Sequence, residues 1–137
     1  MPDPVSALRV AALRLLTRRD HSRAELGAKL AAQAESEQQL QQVLDTLQAE
    51  HLLSDHRYAS QRVVARGRRY GNARLSQELR QRGVGDEDIV AALPEAGDEI
   101  ERCRAIWAKK FGRPPQSPEE RAKQMRFLQY RGFSGES

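Results

Sequence analysis

The segment Leu79-Arg80-Gln81-Arg82-Gly83-Val84 recurs 49 residues later as Leu128-Gln129-Tyr130-Arg131-Gly132-Phe133. Both copies have the pattern Leu-x-x-Arg-Gly-apolar, and a degenerate copy begins another 49 residues upstream, at Leu30. Recurrence at a fixed period of this length is typical of helical repeat proteins. Glycine after a run of helix formers predicts a left-handed C-terminal turn, so we expect Gly83 and Gly132 to end equivalent helices.

Working outward from these segments, apolar residues spaced three and four apart predict eight helices. We expect the fourth helix to run from about Arg57 to Arg69, the fifth to run from about Ala73 to Arg82, and Asp86 to cap the sixth. The other predicted N-caps are serine or aspartate residues at Ser22, Ser36, Ser54 or Asp55, and Ser117. Valine, isoleucine and threonine together number only 12, which argues against a β-sheet.

The predicted fold is all-α: an elongated array of three tandem three-helix repeats of about 49 residues each, with the third lacking its last helix. The expected division is an N-terminal tail at 1–6, repeat 1 at 7–53, a basic repeat 2 at 54–97 and an incomplete repeat 3 at 98–137. Units this short must share apolar surface with their neighbours. The alternative is a chance recurrence of Arg and Gly at helix ends.

The composition narrows the class of protein further. The 137 residues are 39% hydrophobic and 31% charged, with a net charge of +4, which favours an anionic partner. No long apolar run is present, so we expect no membrane span, and no secretory signal is visible at the N-terminus. A single cysteine excludes an intrachain disulfide, and we expect a cytoplasmic protein.

No pattern in the sequence nominates a catalytic or metal centre. The phosphate-binding motif G-x-x-x-x-G-K-[ST] does not occur, and His21, His51 and His56 lack the spacing of zinc ligands. Cys103 lies on the apolar stripe of its predicted helix, where core packing is the simpler interpretation. We therefore expect a binding or regulatory protein without a cofactor, rather than an enzyme.

The middle of the chain is strongly basic. Residues 57–82 contain eight arginines and one acid, Glu78, which gives a local charge of +7. Guanidinium groups suit carboxylate and phosphate partners, although a solvated basic face is the alternative. The spacing of Arg62, Arg66 and Arg69 predicts a shared helix face. With basic residues of repeat 3 added, the predicted partner- or anion-binding residues are Arg57, Arg62, Arg66, Arg68, Arg69, Tyr70, Arg74, Arg80, Arg82, Lys123, Arg126 and Arg131.

Four motifs occur in order between about residues 8 and 133, and together they resemble the RecX family, regulators of the RecA recombinase. Arg19 to Leu30 resembles R-x-x-S-x-x-E-L-x-x-K-L, and Leu52 to Ala59 is similar to L-[LI]-[SD]-D-x-[RK]-[FY]-A. Gly71 to Val84 resembles G-P-x-R-[IL]-x-x-E-L-x-x-[KR]-G-[IV], and Arg126 to Phe133 resembles R-F-L-x-x-R-G-[FY]. Asn72 stands where the family often has proline, and the sequence stops at Ser137 where the family usually continues into another helix.

The resemblance implies three tandem three-helix repeats that bind the groove of the RecA filament on single-stranded DNA. It further implies that binding blocks filament growth and lowers ATP hydrolysis, strand exchange and LexA cleavage. The residues themselves leave an alternative open. A basic helical protein could act directly on single- or double-stranded DNA, with the arginines of repeat 2 on phosphates, and weak non-specific DNA binding is expected in either case.

The last 31 residues hold the one tryptophan and all three phenylalanines, and their large apolar side chains are Trp107, Phe111, Met125, Phe127, Leu128 and Phe133. Without a third helix to cover it, this face would be open. It could fold inward, meet the filament or dock on a second copy. We expect self-association through the incomplete third repeat, with a hinge near Pro94–Gly97.

Overall fold

The computed structural model describes residues 3–134, and the regular structure in that range is entirely helical, which confirms the all-α prediction. The eight α-helices are α1 Pro4–Arg18, α2 Arg23–Leu30, α3 Glu37–Ala49, α4 Asp55–Arg66, α5 Asn72–Gln81, α6 Asp86–Ala92, α7 Glu99–Lys110 and α8 Pro118–Tyr130. Short 3₁₀ turns follow α2 at Ala31–Gln33 and α6 at Leu93–Ala96. Among the described residues, no helix is long and apolar enough to cross a membrane.

Serine side chains begin four of these helices, as predicted. The hydroxyls of Ser22, Ser36, Ser54 and Ser117 each accept the backbone N–H three residues further on, at 3.1 Å. The prediction for α6 was wrong. Gly85 is the N-cap and Asp86 is the first helical residue, because Gly85 is already extended as the chain leaves the preceding turn. The Asp86 carboxylate instead pairs with Arg80 at 3.1 Å.

The three-helix units have separate hydrophobic cores. We call α1–α3 repeat 1, α4–α6 repeat 2, and α7–α8 repeat 3. Repeat 1 is centred on leucines such as Leu26, Leu30 and Leu44, whereas repeat 2 is centred on Val63 and Leu79. The accessible surface is 8930 Å², against about 7200 Å² for a compact monomer of this mass. Separate cores and excess surface are the properties of an elongated array.

Two equivalent turns end the second helices of repeats 2 and 3. In these glycine turns, Arg82-Gly83-Val84 and Arg131-Gly132-Phe133, the glycines have φ angles of 81° and 93°, which confirms the prediction of left-handed caps. In each turn the N–H of the residue after glycine donates to the carbonyl four residues before glycine, at 3.0 and 3.1 Å. Val84 and Phe133 are both buried by this geometry.

The first glycine turn docks on repeat 1, at the start of α2. The Ser22 hydroxyl donates to the Arg82 carbonyl at 2.6 Å, while also capping its own helix. A Cβ at Gly83 would overlap the methyl group of Ala24. The close approach of the two backbones therefore requires glycine for its lack of a side chain as well as for its conformation.

The second glycine turn docks on repeat 2 in the same way, at the start of α5. The N–H of Gly71 donates to the Arg131 carbonyl at 2.7 Å, and the N–H of Ala73 donates to the Gly132 carbonyl at 3.2 Å. A Cβ at Gly132 would overlap Arg74. Gly71 and Ser22 are themselves 49 residues apart, so the sequence period coincides with a repeated contact between repeats.

The first helix of each later repeat adds a carboxylate to its junction. Asp55, the first residue of α4, accepts the N–H of Arg23 at 2.6 Å. Glu99, the first residue of α7, accepts the N–H of Asn72 at 2.6 Å. Each carboxylate thus satisfies an unpaired N–H at the start of the preceding repeat's second helix, where the helix dipole also favours a negative charge.

Helix α4 ends at Arg66, so the prediction that it continues to Arg69 was wrong. Gly67 is packed against Ala96, where a side chain would not fit. The Arg102 guanidinium donates to the Gly67 and Tyr70 carbonyls at 3.2 and 3.0 Å, which fixes a turn in place of another helical turn. Arg69 therefore does not share a helix face with the arginines of α4.

Glu25 forms an ion-pair cluster at the junction of repeats 1 and 2. Its carboxylate receives two hydrogen bonds from Arg19, at 3.0 and 2.7 Å, and one from Arg82 at 3.0 Å. The Glu25 side chain is only 8% exposed. The hydrogen bonds from Arg19 lower the pKa of Glu25 to about 2, against the opposing effect of burial.

We predict that Gly83→Ala destabilises the fold by about 2–5 kcal/mol, because left-handed strain adds to overlap with repeat 1. Gly97→Ala is the matched control, since Gly97 has a φ of 93° but no atom within 4 Å of an added Cβ. Left-handed strain alone should lower the control's free energy of unfolding, measured with urea, by about 1–2 kcal/mol. Equal losses for both variants would contradict a role for close approach at Gly83.

We also predict a specific acid sensitivity of the first junction. A lowered folded-state pKa means that Glu25 stabilises the fold above its unfolded pKa and loses this contribution as the pH falls towards 2. Between pH 7 and pH 3, the wild type should lose about 2 kcal/mol more unfolding free energy than Glu25→Gln. Urea unfolding at the two pH values measures these free energies. Equal losses in the wild type and in Glu25→Gln would contradict the prediction.

Candidate anion-binding surface

Most arginines of the basic segment are held by the protein's own carboxylates. Arg57 pairs with Asp20, Arg80 with Asp86 and Arg82 with Glu25, while Arg62, Arg66 and Arg74 all approach Glu78. A guanidinium already paired in this way offers less attraction to an external anion. The excess of arginine over acid within residues 57–82 therefore overstates the charge available to a partner.

Glu78 on α5 is the most heavily shared of these carboxylates. Arg66 donates two hydrogen bonds to it, at 2.7 and 2.8 Å, and the guanidinium nitrogens of Arg74 and Arg62 lie 3.6 and 4.0 Å away. Burial opposes ionisation of Glu78, but the neighbouring arginines prevail and its pKa is lowered. The cluster joins α4 to α5 and fixes the side chains of both helices.

Arg57 stabilises the connection between repeats 1 and 2. It forms a two-pronged contact with Asp20, at 3.0–3.1 Å, and donates to the carbonyls of His51 and Leu52 at 3.0 and 3.2 Å. These carbonyls belong to the turn that follows α3. Arg57 therefore satisfies backbone groups between two repeats, and its geometry is that of a structural residue.

A cationic pocket lies at the junction of repeats 2 and 3. Its volume is about 470 Å³, and its lining consists of five cations and three apolar or aromatic side chains: Arg68, Arg69, Lys109, Lys110, Arg131, Tyr70, Ile106 and Phe127. No acidic residue within 3–134 lines it, so these side chains give it a local charge of +5. Within residues 3–134, Arg68 and Arg69 have no carboxylate within ion-pair distance.

Aromatic rings orient the cations around this pocket. The Arg131 guanidinium lies 5.5 Å from the ring centre of Tyr70 and 5.2 Å from that of Phe127. Arg66 and Arg74 also lie over Tyr70, at 4.7 and 4.2 Å. Such stacking attracts the cation without using its N–H donors. Arg131 donates one hydrogen bond within the fold, from Nη1 to the Arg69 carbonyl at 3.4 Å, and its other donors remain available to carboxylate or phosphate oxygens.

Backbone contacts between the repeats hold the pocket in place. Arg131 belongs to the second glycine turn, whose carbonyls are bound by the start of α5. Arg102 of repeat 3 fixes the Gly67–Tyr70 turn and also donates to the Asn72 side chain. Burial lowers the pKa of Arg102. The pocket is therefore built from two repeats and requires their junction.

The remaining predicted residues of repeat 3 lie on α8, outside the lining of the pocket. Lys123 and Arg126 are exposed on one side of α8, since they are three residues apart, and only Lys123, one helical turn before Phe127, also shares the side of that pocket residue. Exposed Tyr130 lies on the same side, with the Arg74 guanidinium 5.7 Å from its ring centre. These residues extend the basic, aromatic surface along α8.

The residues predicted from the sequence did not include Lys109 and Lys110, which complete the pocket. Their adjacent positions in the last turn of α7 could have marked them as basic residues that favour a helix C-terminus. Nothing in the local pattern connects them to Arg68 and Arg69, some 40 residues earlier. Within residues 3–134, no group of three histidine, cysteine or acidic residues could hold a metal ion.

The chain matches three family models along its length. These describe the first three-helix domain of RecX over residues 9–47, the second over 54–93 and the third over 97–137. The matches cover all three repeats, including both glycine turns and the cationic pocket.

Similar proteins and structures carry the same description. The regulatory protein RecX of Ralstonia nicotianae is 46% identical over 136 residues, which are 98% of this chain and 85% of that protein. Its counterpart in Pseudomonas fluorescens is 45% identical over 135 residues, 96% of this chain and 87% of that protein.

Two crystal structures have the same fold. The crystal structure of a regulatory protein RecX has a TM-score of 0.82 at 27% identity, and the match covers 98% of this chain and 70% of that one. RecX from Lactobacillus salivarius has a TM-score of 0.85 at 22% identity, covering 99% and 92%. The repeated helical fold, the family models and the identity to these relatives lead to one conclusion: the chain belongs to the RecX family of regulatory proteins.

Proposed function

We propose that this chain acts in the cytoplasm as a non-catalytic regulator, binding the groove of the RecA filament on single-stranded DNA. Binding inhibits filament growth and thereby lowers ATP hydrolysis and strand exchange. Membership of the RecX family supports the regulatory role. An array of small repeats suits the task, because it can follow a groove across successive protomers of a helical partner.

The observation that carries the contact chemistry is the cationic pocket. Among residues 3–134, five cations and no acid line this cavity, and an anionic group on the filament can neutralise their positive charge. Arg131 is positioned between two rings and presents a planar donor set, which suits carboxylates and phosphates alike. We therefore assign the pocket, with Lys123 and Arg126 of α8, to the surface that meets the filament.

The second candidate function is direct binding to DNA. It is favoured by the exposed Tyr130 ring beside Arg74 and the pocket, since an aromatic face next to guanidinium groups can stack on unpaired bases. Phosphate contacts carry no sequence information, so the cations of the pocket would by themselves give only weak, non-specific binding to DNA. Adding excess DNA to the RecA assay separates the two functions: competition for DNA is relieved, whereas binding to the filament persists.

We predict that Arg68→Glu/Arg69→Glu weakens inhibition of the RecA ATPase on single-stranded DNA by about tenfold or more. Reversal removes attraction and adds repulsion towards an anionic partner. Both side chains are exposed, so the fold should be retained. The measurement is the inhibitor concentration that halves ATP hydrolysis at fixed RecA and DNA.

The matched control is Arg14→Glu/Arg18→Glu on α1, which makes the same change in net charge in repeat 1. These two arginines are also exposed and form no ion pair within the described residues. The control should inhibit like the wild type. Equal weakening of both variants would assign the effect to net charge and remove the pocket from the proposed interface.

We predict, separately, that affinity for single-stranded DNA falls steeply with salt and is nearly independent of base sequence. If all five cations of the pocket contact phosphates, log K should change with log salt concentration by a slope of about −3.5. Arg68→Glu/Arg69→Glu should reduce this slope by about 1.4 or more. Fluorescence anisotropy with oligonucleotides of different sequence measures both, and strong sequence preference would favour the DNA-binding function instead.

A further inference from the structure

The cationic pocket between repeats 2 and 3 holds more positive charge than the fold neutralises. Its five cations form no ion pair within residues 3–134; they are Arg68, Arg69, Lys109, Lys110 and Arg131. Like charges around one cavity repel each other, and a multiply charged anion would relieve that repulsion. The volume of about 470 Å³ lies within the range of pockets that bind small molecules.

A smaller cleft lies in the equivalent place between repeats 1 and 2. Residues 49 positions apart line the cleft and the pocket: Arg19 and Arg68, Asp20 and Arg69, and Gln61 and Lys110. The cleft has a volume of only about 120 Å³, and Glu25 pairs with its Arg19 at 2.7 Å. Equivalent junctions thus produce a small, neutralised cleft in one place and a wide cationic pocket in the other.

The cations of the pocket are held in place before any ligand arrives. Arg131 donates to the Arg69 carbonyl at 3.4 Å, and Arg102 fixes the same turn through two further carbonyls. Lys109 and Lys110 lie in the last turn of α7, where the helix dipole favours positive charge. An anion therefore meets cations whose backbones are already fixed, which lowers the cost of ordering them.

The aromatic rings of the pocket are already in contact with the protein's own side chains. Three guanidinium groups lie 4.2–5.5 Å from the ring centre of Tyr70. Arg131 and Lys110 lie 5.2 and 5.5 Å from the ring centre of Phe127, and Phe111 packs against the same ring in a T-shaped arrangement. Because these rings hold cations in position, we expect phosphates, and not a base, to be recognised.

The number of cations favours one class of anion. A carboxylate carries one charge and a single phosphate about 1.5–2 at pH 7, so either would leave most of the five cations unpaired. A chain of linked phosphates brings several charges close together, with oxygens that suit guanidinium and ammonium donors alike. In nucleic acid a sugar separates successive phosphates, so fewer of them fit into a pocket of this size.

We propose that the cationic pocket is a binding site for a free chain of linked phosphates, either inorganic tripolyphosphate or the triphosphate of a nucleotide. The phosphate oxygens accept hydrogen bonds from the three arginines and two lysines of the lining. Binding requires neither RecA nor DNA. A bound phosphate chain would compete with the filament for the pocket, and only this consequence rests on the proposed function.

Calorimetric titration of the full chain, without RecA, DNA or Mg²⁺, tests the site. Tripolyphosphate should bind with one-to-one stoichiometry, and ATP should bind with a dissociation constant within about threefold of it. Inorganic phosphate should bind at least about tenfold more weakly, and adenosine should give no heat of binding. An affinity for ATP more than about tenfold above that for tripolyphosphate would show that the base is recognised and would overturn the proposal.

Two variants with the same change in net charge localise the binding. Lys109→Gln/Lys110→Gln removes two exposed cations of the pocket and should weaken tripolyphosphate binding by about tenfold or more. Arg14→Gln/Arg18→Gln, at exposed positions on α1, should bind like the wild type. Circular dichroism checks that both variants fold.

No saturable binding of tripolyphosphate by the wild type would overturn the proposal, and so would equal affinities in the two variants. These outcomes are distinguishable from failure of the proposed function, because filament binding is measured separately through inhibition of the RecA ATPase. A chain that inhibits RecA but does not bind tripolyphosphate would retain the proposed function and lose this site.

Discussion

The array depends on the close approach of two backbones at Gly83 and Gly132. Each glycine ends a helix in a left-handed turn and lies against the first turn of the second helix in the preceding repeat. The approach leaves no room for a side chain, and it brings the carbonyls of Arg82 and Arg131 within hydrogen-bond distance of that helix. Because repeats of this size hold only small cores of their own, these contacts are what fix one repeat against the next.

The two junctions share a backbone geometry but differ in charge, and this difference creates the candidate site. At the first junction, Arg82 meets the carboxylate of Glu25 and is neutralised within the fold. The residue 49 positions after Glu25 is Arg74, so Arg131 has no carboxylate at the equivalent position and lies instead near the rings of Tyr70 and Phe127. A reversal of charge at one equivalent position thus converts an internal ion pair into a pocket with unneutralised charge.

Repeat 3 has two surfaces of opposite character on different sides of the same helix pair. Lys109 and Lys110 of α7 line the cationic pocket, whereas Cys103 and Trp107 face Met125 and Leu128 of α8 across an apolar groove. A helix has two such sides when its basic residues and its apolar residues each recur with the 3.6-residue period, on different faces.

The sequence by itself determined the local structure: the serine caps of four helices, both glycine turns and the repeat period. These features depend on contacts within a few residues, which a sequence pattern records. Only the tertiary structure decided where α4 ends, because Gly67 packs against Ala96. It also decided which arginines remain unpaired. Asp20 lies 37 residues from Arg57, and Lys109 lies about 40 from Arg69, so these charges meet only when the repeats dock. An arginine's availability to a partner is set by the carboxylates that folding brings to it, and spacing along the chain does not contain that information.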